Sequence, residues 1–192
     1  MSRERLFQLS FHMAWENALK KAVSEVGKLP RDAVDKPDLA GRLKKIEADN
    51  SLEVARINRD GVNATTKTVQ REGTDGWGEH RRITYDVLEI AIPFTGDAES
   101  FKLSPSRCAI IYADCRIERD HLLLTVPDDD GAEGALQSFL KDVEGNLEAL
   151  RTEYAEVKRQ LPEALSNAVT HRRNVISTED QRDKGRSFPV RR

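Results

Sequence analysis

The sequence predicts an α+β fold: an antiparallel β-sheet of about five strands, helices ahead of it, and a long heptad-patterned helix behind it. Three observations carry this. Apolar residues recur at helical spacing over residues 3–27, at a period of two between 51 and 126, and in a seven-residue repeat after Pro127.

The first helix is drawn by Phe11, Trp15, Ala18, Leu19, Ala22 and Val26, which form one stripe. Gly27 and Pro30 end it. Asp38 is placed to N-cap a second short helix carrying Leu39, Leu43 and Ile46. The strand region opens with Leu52 and Val54, and turns at Asn58-Arg-Asp-Gly61. Residues 62–71 suit a half-exposed strand, and Gly73–Gly78 reads as a flexible loop. Residues 80–92 make the strongest strand: Leu88, Ile90 and Ile92 share one face, Tyr85 and Val87 the other. Pro93, which lacks a donor, is expected to end it. Residues 107–117 and 121–126 form a further hairpin around Glu118-Arg-Asp120. Cys108 and Cys115, an odd number of residues apart in one strand, are expected on opposite faces, neither bridged nor sharing a metal.

Asp130-Gly-Ala-Glu133 has the form of a capping box, so Asp128–Asp130 is read as cap rather than catalyst. Beyond it Leu136, Leu140, Val143, Leu147, Leu150, Tyr154, Val157, Leu161, Ala164 and Ala168 alternate steps of four and three. A helix over 131–161 would run about 45 Å. Two readings follow. Either the seam packs wholly on its own sheet, or part of it (Leu140, Val143, Leu147, Leu150, Tyr154, Val157, Leu161) meets a partner helix or a second copy. Pro162 is expected to kink the rod. The chain is thereby divided into helices plus sheet over 1–126, the long helix over 127–176, and a polar, basic, mobile tail or junction over 177–192.

Thirty-one basic and 33 acidic residues leave a net charge of −2, so nothing draws the whole chain toward nucleic acid. The C-terminal stretch differs. Arg172, Arg173, Arg182, Lys184, Arg186, Arg191 and Arg192 outnumber its acids and make the candidate phosphate-contacting set, with Arg81-Arg82 as an addition. The competing reading is a solvated helix end whose cations suit the dipole. Trp77 is a candidate aromatic anchor, or a ring tucked onto the sheet.

The residues that would carry catalysis are not assembled in the sequence. There is no phosphate-cradling Gly-x4-Gly-Lys run, and no nucleophile elbow. His12, His80, His121 and His171 fall in separate elements without zinc spacing. Pro127-Asp128 with Glu156-Val-Lys158 spells a nuclease-like set, but the last two sit on different faces of a helix. No cofactor, no metal and no enzyme activity are expected, although an active site assembled only by folding remains a third reading. No apolar run is long enough for a membrane span, and the lack of a leader and of paired cysteines points to the cytoplasm.

Asp86-Val-Leu-Glu-Ile-Ala-Ile-Pro-Phe-Thr-Gly-Asp97, Pro105-Ser106, a strand pair, a long helix ending near Arg172-Arg173 and Phe188-Pro-Val-Arg-Arg192 follow in an order. That order resembles the N-terminal module of a broad group of bacterial multi-domain proteins. In that group the module precedes an effector domain, and antiviral defence is suspected. The resemblance implies a regulatory position, with Phe188–Arg192 the junction to an effector; it implies no catalytic residue. Two hypotheses result: a non-enzymatic sensing, scaffolding or oligomerisation module, or a nucleic-acid-binding accessory protein using the basic tail.

Overall fold

A computed structural model describes residues 5–74 and 80–186. Trp77, Phe188–Arg192 and the middle of the glycine loop, all singled out above, lie outside the described residues. The fold is α+β, as expected, with an antiparallel five-stranded sheet, N-terminal helices and a long helical C-terminal region. The chain forms two compact units: Met1–Phe11 with Leu52–Glu153, and His12–Ser51 with Tyr154–Arg192. This division cuts across the boundary expected at Pro127.

The first unit is built on β2 (Arg56–Ile57), β3 (Asn63–Thr74), β4 (His80–Thr95), β6 (Asp114–Ile117) and β7 (His121–Pro127). Their order is β2-β4-β7-β6, with β3 also on β4. A separate two-residue parallel pair joins β1 (Leu9–Ser10) to β5 (Leu103–Ser104). Leu88, Ile90 and Ile92 stand opposite Val126, Leu124 and Leu122. Ile90, Ile92, Leu122, Leu124 and Val126 are buried and make the inner face, as their alternation requires. Hydrophobic burial of this kind contributes about 25 cal/mol per Å² of apolar surface.

Three strand expectations are corrected. Pro93 does not end β4, which continues to Thr95. The Pro93 carbonyl accepts a bond from Asn58, so its donorless nitrogen faces the same side, between the start of β3 opposite Ala91 and β2 opposite Phe94. No ladder donor is needed there. The strand expected over 107–117 is paired only at 114–117, so Cys108 lies outside it. Cys115 is buried and Cys108 exposed, and neither is in a disulfide. The helix expected over 3–27 begins at Phe11, because residues 7–9 instead bond to Phe101 and Lys102.

The Pro93–Asp97 turn locks residues 53–55. Asp97 donates its backbone N–H to Glu53 O, and its carboxylate accepts from Glu53 N at 2.6 Å. Ser100 Oγ accepts from Ala55 N at 3.1 Å. Gly96 sits at φ +86°, and a Cβ there would stand 2.8 Å from Glu53 O, so only glycine fits without strain. The rings of Phe94 and Phe101 meet edge to face at 4.7 Å behind the turn.

Helix α4 spans Ala132–Val157. Its start is tied by Asp129, whose carboxylate accepts from Gly131 N at 2.9 Å; the acceptor is thus one residue earlier than the expected Asp130. Asp128 instead accepts from the Thr66 hydroxyl. Within the first unit α4 buries Phe139, Leu140, Val143, Asn146, Leu147 and Leu150.

The second unit holds α1 (Phe11–Gly27, from His12 onward), α2 (Arg31–Val34), α3 (Leu39–Asp49), the end of α4 and α5 (Gln160–Lys184). Trp15 donates to Gln160 and its ring meets Tyr154 at 5.5 Å. Asp38 occupies the N-cap position of α3 without a cap bond; its carboxylate pairs with Arg42. The break between helices falls at Lys158–Arg159, before Pro162. That places Pro162 in the first turn of α5, where its missing N–H costs nothing. The polar tail expected from Ser177 is helical to Lys184. Arg31 of α2 holds that segment, pairing with both Glu179 and Asp180. These bonds hold the Arg31 guanidinium above its ordinary pKa, Glu179 contributing most.

Candidate interaction surfaces

The heptad seam was the foremost candidate interface. Leu140, Val143, Leu147, Leu150 and Leu161 are buried by the chain itself, Leu147 to 1% exposure. They are core residues and offer no surface to a partner helix. Tyr154 and Val157 are half-buried, and Tyr154 already stacks on Trp15. Steps of four and three are shared by a coiled-coil seam and by an amphipathic helix on its own domain, so spacing did not separate the two.

The basic set is dispersed. Arg172 donates to Leu29 O, and Arg173 donates to Val34 O and pairs with Asp35 at 3.5 Å. Both hold the connections around α2. Arg186 pairs with Asp183 at 3.6 Å. Arg182 and Lys184 are exposed near the end of α5, and Arg191 and Arg192 lie outside the described residues.

What sequence reasoning missed is the stretch before β6. Residues 106–113 run alongside α4 and are held by two of its side chains. Buried Asn146 accepts from Ala109 N at 2.7 Å and donates to Ala109 O at 2.9 Å. Glu153 accepts from Ser106 N at 2.7 Å. Asn146 thus acts on Ala109 as a neighbouring strand would. Past this clamp, the backbone groups of Ile110, Ile111 and Tyr112 meet no hydrogen-bond partner among the described residues. Ile110 is 73% exposed and Tyr112 91%. They are two apart, and the segment leads into β6, the last strand of the sheet. A groove of about 660 Å³ lies between this segment and residues 5–8. On its other wall, Phe7 is held at φ +54°, a conformation unfavourable for a bulky side chain.

A second open groove of about 650 Å³, in the same unit, is lined from β2, the turn after it and α4. It holds Arg59, which donates to Glu144 at 2.7 and 2.5 Å. Those bonds hold the Glu144 carboxyl below its ordinary pKa. Arg151 pairs with Glu148 and donates to Ala55 O.

Among the described residues no group of three or more His, Cys, Asp or Glu converges to hold a metal ion. No helix of the described residues is long and apolar enough to cross a membrane. No family model, curated protein or solved structure matches the chain.

Proposed function

We propose that the chain is a non-enzymatic sensing or scaffolding module that captures an extended segment of a partner protein along the Ile110–Ala113 edge. The supporting observation is the run of unpaired backbone groups leading into an edge strand, with Ile110 and Tyr112 exposed at strand spacing. A row of free N–H and C=O groups is matched by another extended backbone, and alternate apolar side chains supply selectivity. A helix would leave those groups unpaired. In the setting that the resemblance implies, the partner is the regulated effector protein of a bacterial defence system, and the chain works in the cytoplasm.

The test is selection of short random peptides from a displayed library against the purified chain. Bound peptides are expected to alternate apolar and polar residues. Their binding is expected to be lost in Ile110→Asp and Tyr112→Pro, with far-UV circular dichroism unchanged. Binders indifferent to both substitutions, or no binders, would overturn the proposal. So would a dimer of the wild-type chain in light scattering that Tyr112→Asp dissolves, because the edge would then serve a second copy.

A further inference from the structure

The second groove carries an inference independent of the strand edge. We propose that it is a binding site for an oligophosphate group, recognised by Arg56, Arg59, Lys141 and Arg151.

The charge balance comes first. Glu144 and Glu148 are the acids of the groove lining, and each is engaged by an arginine. Arg56 and Lys141 are exposed and meet no partner among the described residues, so the groove keeps an excess of two positive charges. The paired arginines are not lost to a ligand. Arg59 uses Nε and Nη2 on Glu144, leaving Nη1 free, and Arg151 uses its two Nη atoms, leaving Nε. Their carboxylate partners hold the guanidinium planes in place before any ligand arrives, which lowers the ordering cost of binding.

The lining gives a second observation, at the exposed Gly145. Gly145 sits inside α4, where glycine is less favourable than alanine because its backbone loses more freedom on folding. Packing does not require it: a Cβ there would meet nothing within 4 Å. That open space belongs to the groove. A glycine unfavourable to the helix and unneeded by the core leaves room for an occupant.

The occupant's chemistry follows from the lining. Four cations around one groove suit a group with several negative charges, and guanidinium forks match phosphate oxygens. The lining has no aromatic ring to stack a base, so the phosphates and not a nucleobase are read. Free oligophosphate and the phosphate chain of a nucleotide share this chemistry.

Isothermal titration of the full chain with inorganic tripolyphosphate tests the site, with a nucleoside triphosphate as the second arm. Saturable binding is expected, at least tenfold weaker in Arg56→Gln/Lys141→Gln and falling steeply with salt. Equal affinity for both ligands identifies the phosphate chain as what is read; a much tighter nucleotide would overturn the claim that the base is ignored. Gly145→Leu is expected to fold and to abolish binding by filling the open space beside Gly145. Absence of saturable heat, binding untouched by the double variant, or citrate competing as well as tripolyphosphate would each overturn the proposal.

Discussion

Replacing Asn146 by alanine tests how the free edge is held. Asn146 is 2% exposed and makes two bonds to one residue, the N–H and C=O of Ala109. A hydrogen bond of this kind contributes about 1 kcal/mol net, and stranding a buried partner costs about 1–3 kcal/mol more. Ala109 itself is exposed, so water can take over its two groups once the amide is gone. The second cost therefore falls away and the first remains, giving about 2 kcal/mol for the two bonds. In a chain of this size that corresponds to a fall in Tm of roughly 4–8 °C. Urea unfolding followed by circular dichroism should show a lower midpoint at unchanged slope. Asn146→Asp separates the two bonds. Ionised, it still accepts from Ala109 N but opposes Ala109 O; protonated, it donates again. Its stability relative to wild type should therefore recover as pH falls. A loss below about 0.5 kcal/mol in Asn146→Ala, within the range of ordinary surface substitutions, would refute the clamp.

Leu147→Ala is expected to cost about 2–5 kcal/mol, because it empties a fully buried site. The urea midpoint should not depend on protein concentration; a concentration-dependent loss would return Leu147 to an interface between copies. Arg59→Gln should destabilise at neutral pH and progressively less in acid. Glu144 has its folded pKa held below the ordinary 4.5, so its pairing stabilises the fold above that value and is lost as pH falls through the lowered one. Parallel urea titrations of both proteins from neutral pH into acid would show the two curves converging. Gly96→Ala should cost at least about 1–2 kcal/mol, from a left-handed alanine that also presses on Glu53 O, and differential scanning calorimetry would read it as a lowered Tm.

How far the sequence reached depended on how local each signal was. The period of two at Ile90 and Ile92 and in Leu122–Val126 named the inner face, because alternation is a property of the strand itself, although Leu88 on that face is only half-buried and Val87 on the other is buried. Pro93 was misread because its effect depends on what lies beside it, and the gap between β2 and β3 is set by pairing and not by the proline. The helix beyond Ser177 was missed because its apolar stripe gives out, and what holds it is Arg31, some 148 residues away in sequence. Asn146 left no signal at all. A polar residue inside an apolar helix pattern looks like a flaw until its partner is known, and Ala109 carries no mark of being that partner.

The two candidate surfaces meet on one turn of α4. Gly145 opens the basic groove and Asn146, the next residue, clamps the chain that becomes the free edge. Neighbouring helix positions point about 100° apart, so one rigid turn faces both. Lys141, Glu144, Glu148 and Arg151 bracket the same turn. A shift of this turn toward an anion would carry Asn146 with it and change its hold on Ala109. Linkage between the two sites requires that each ligand favour a different position of this turn; where that holds it is reciprocal, and whatever factor tripolyphosphate applies to peptide affinity at the edge, the peptide applies to tripolyphosphate. Asn146→Ala cuts the link while leaving every groove cation in place, so a coupling that survives in that variant would have to run through some other part of the fold.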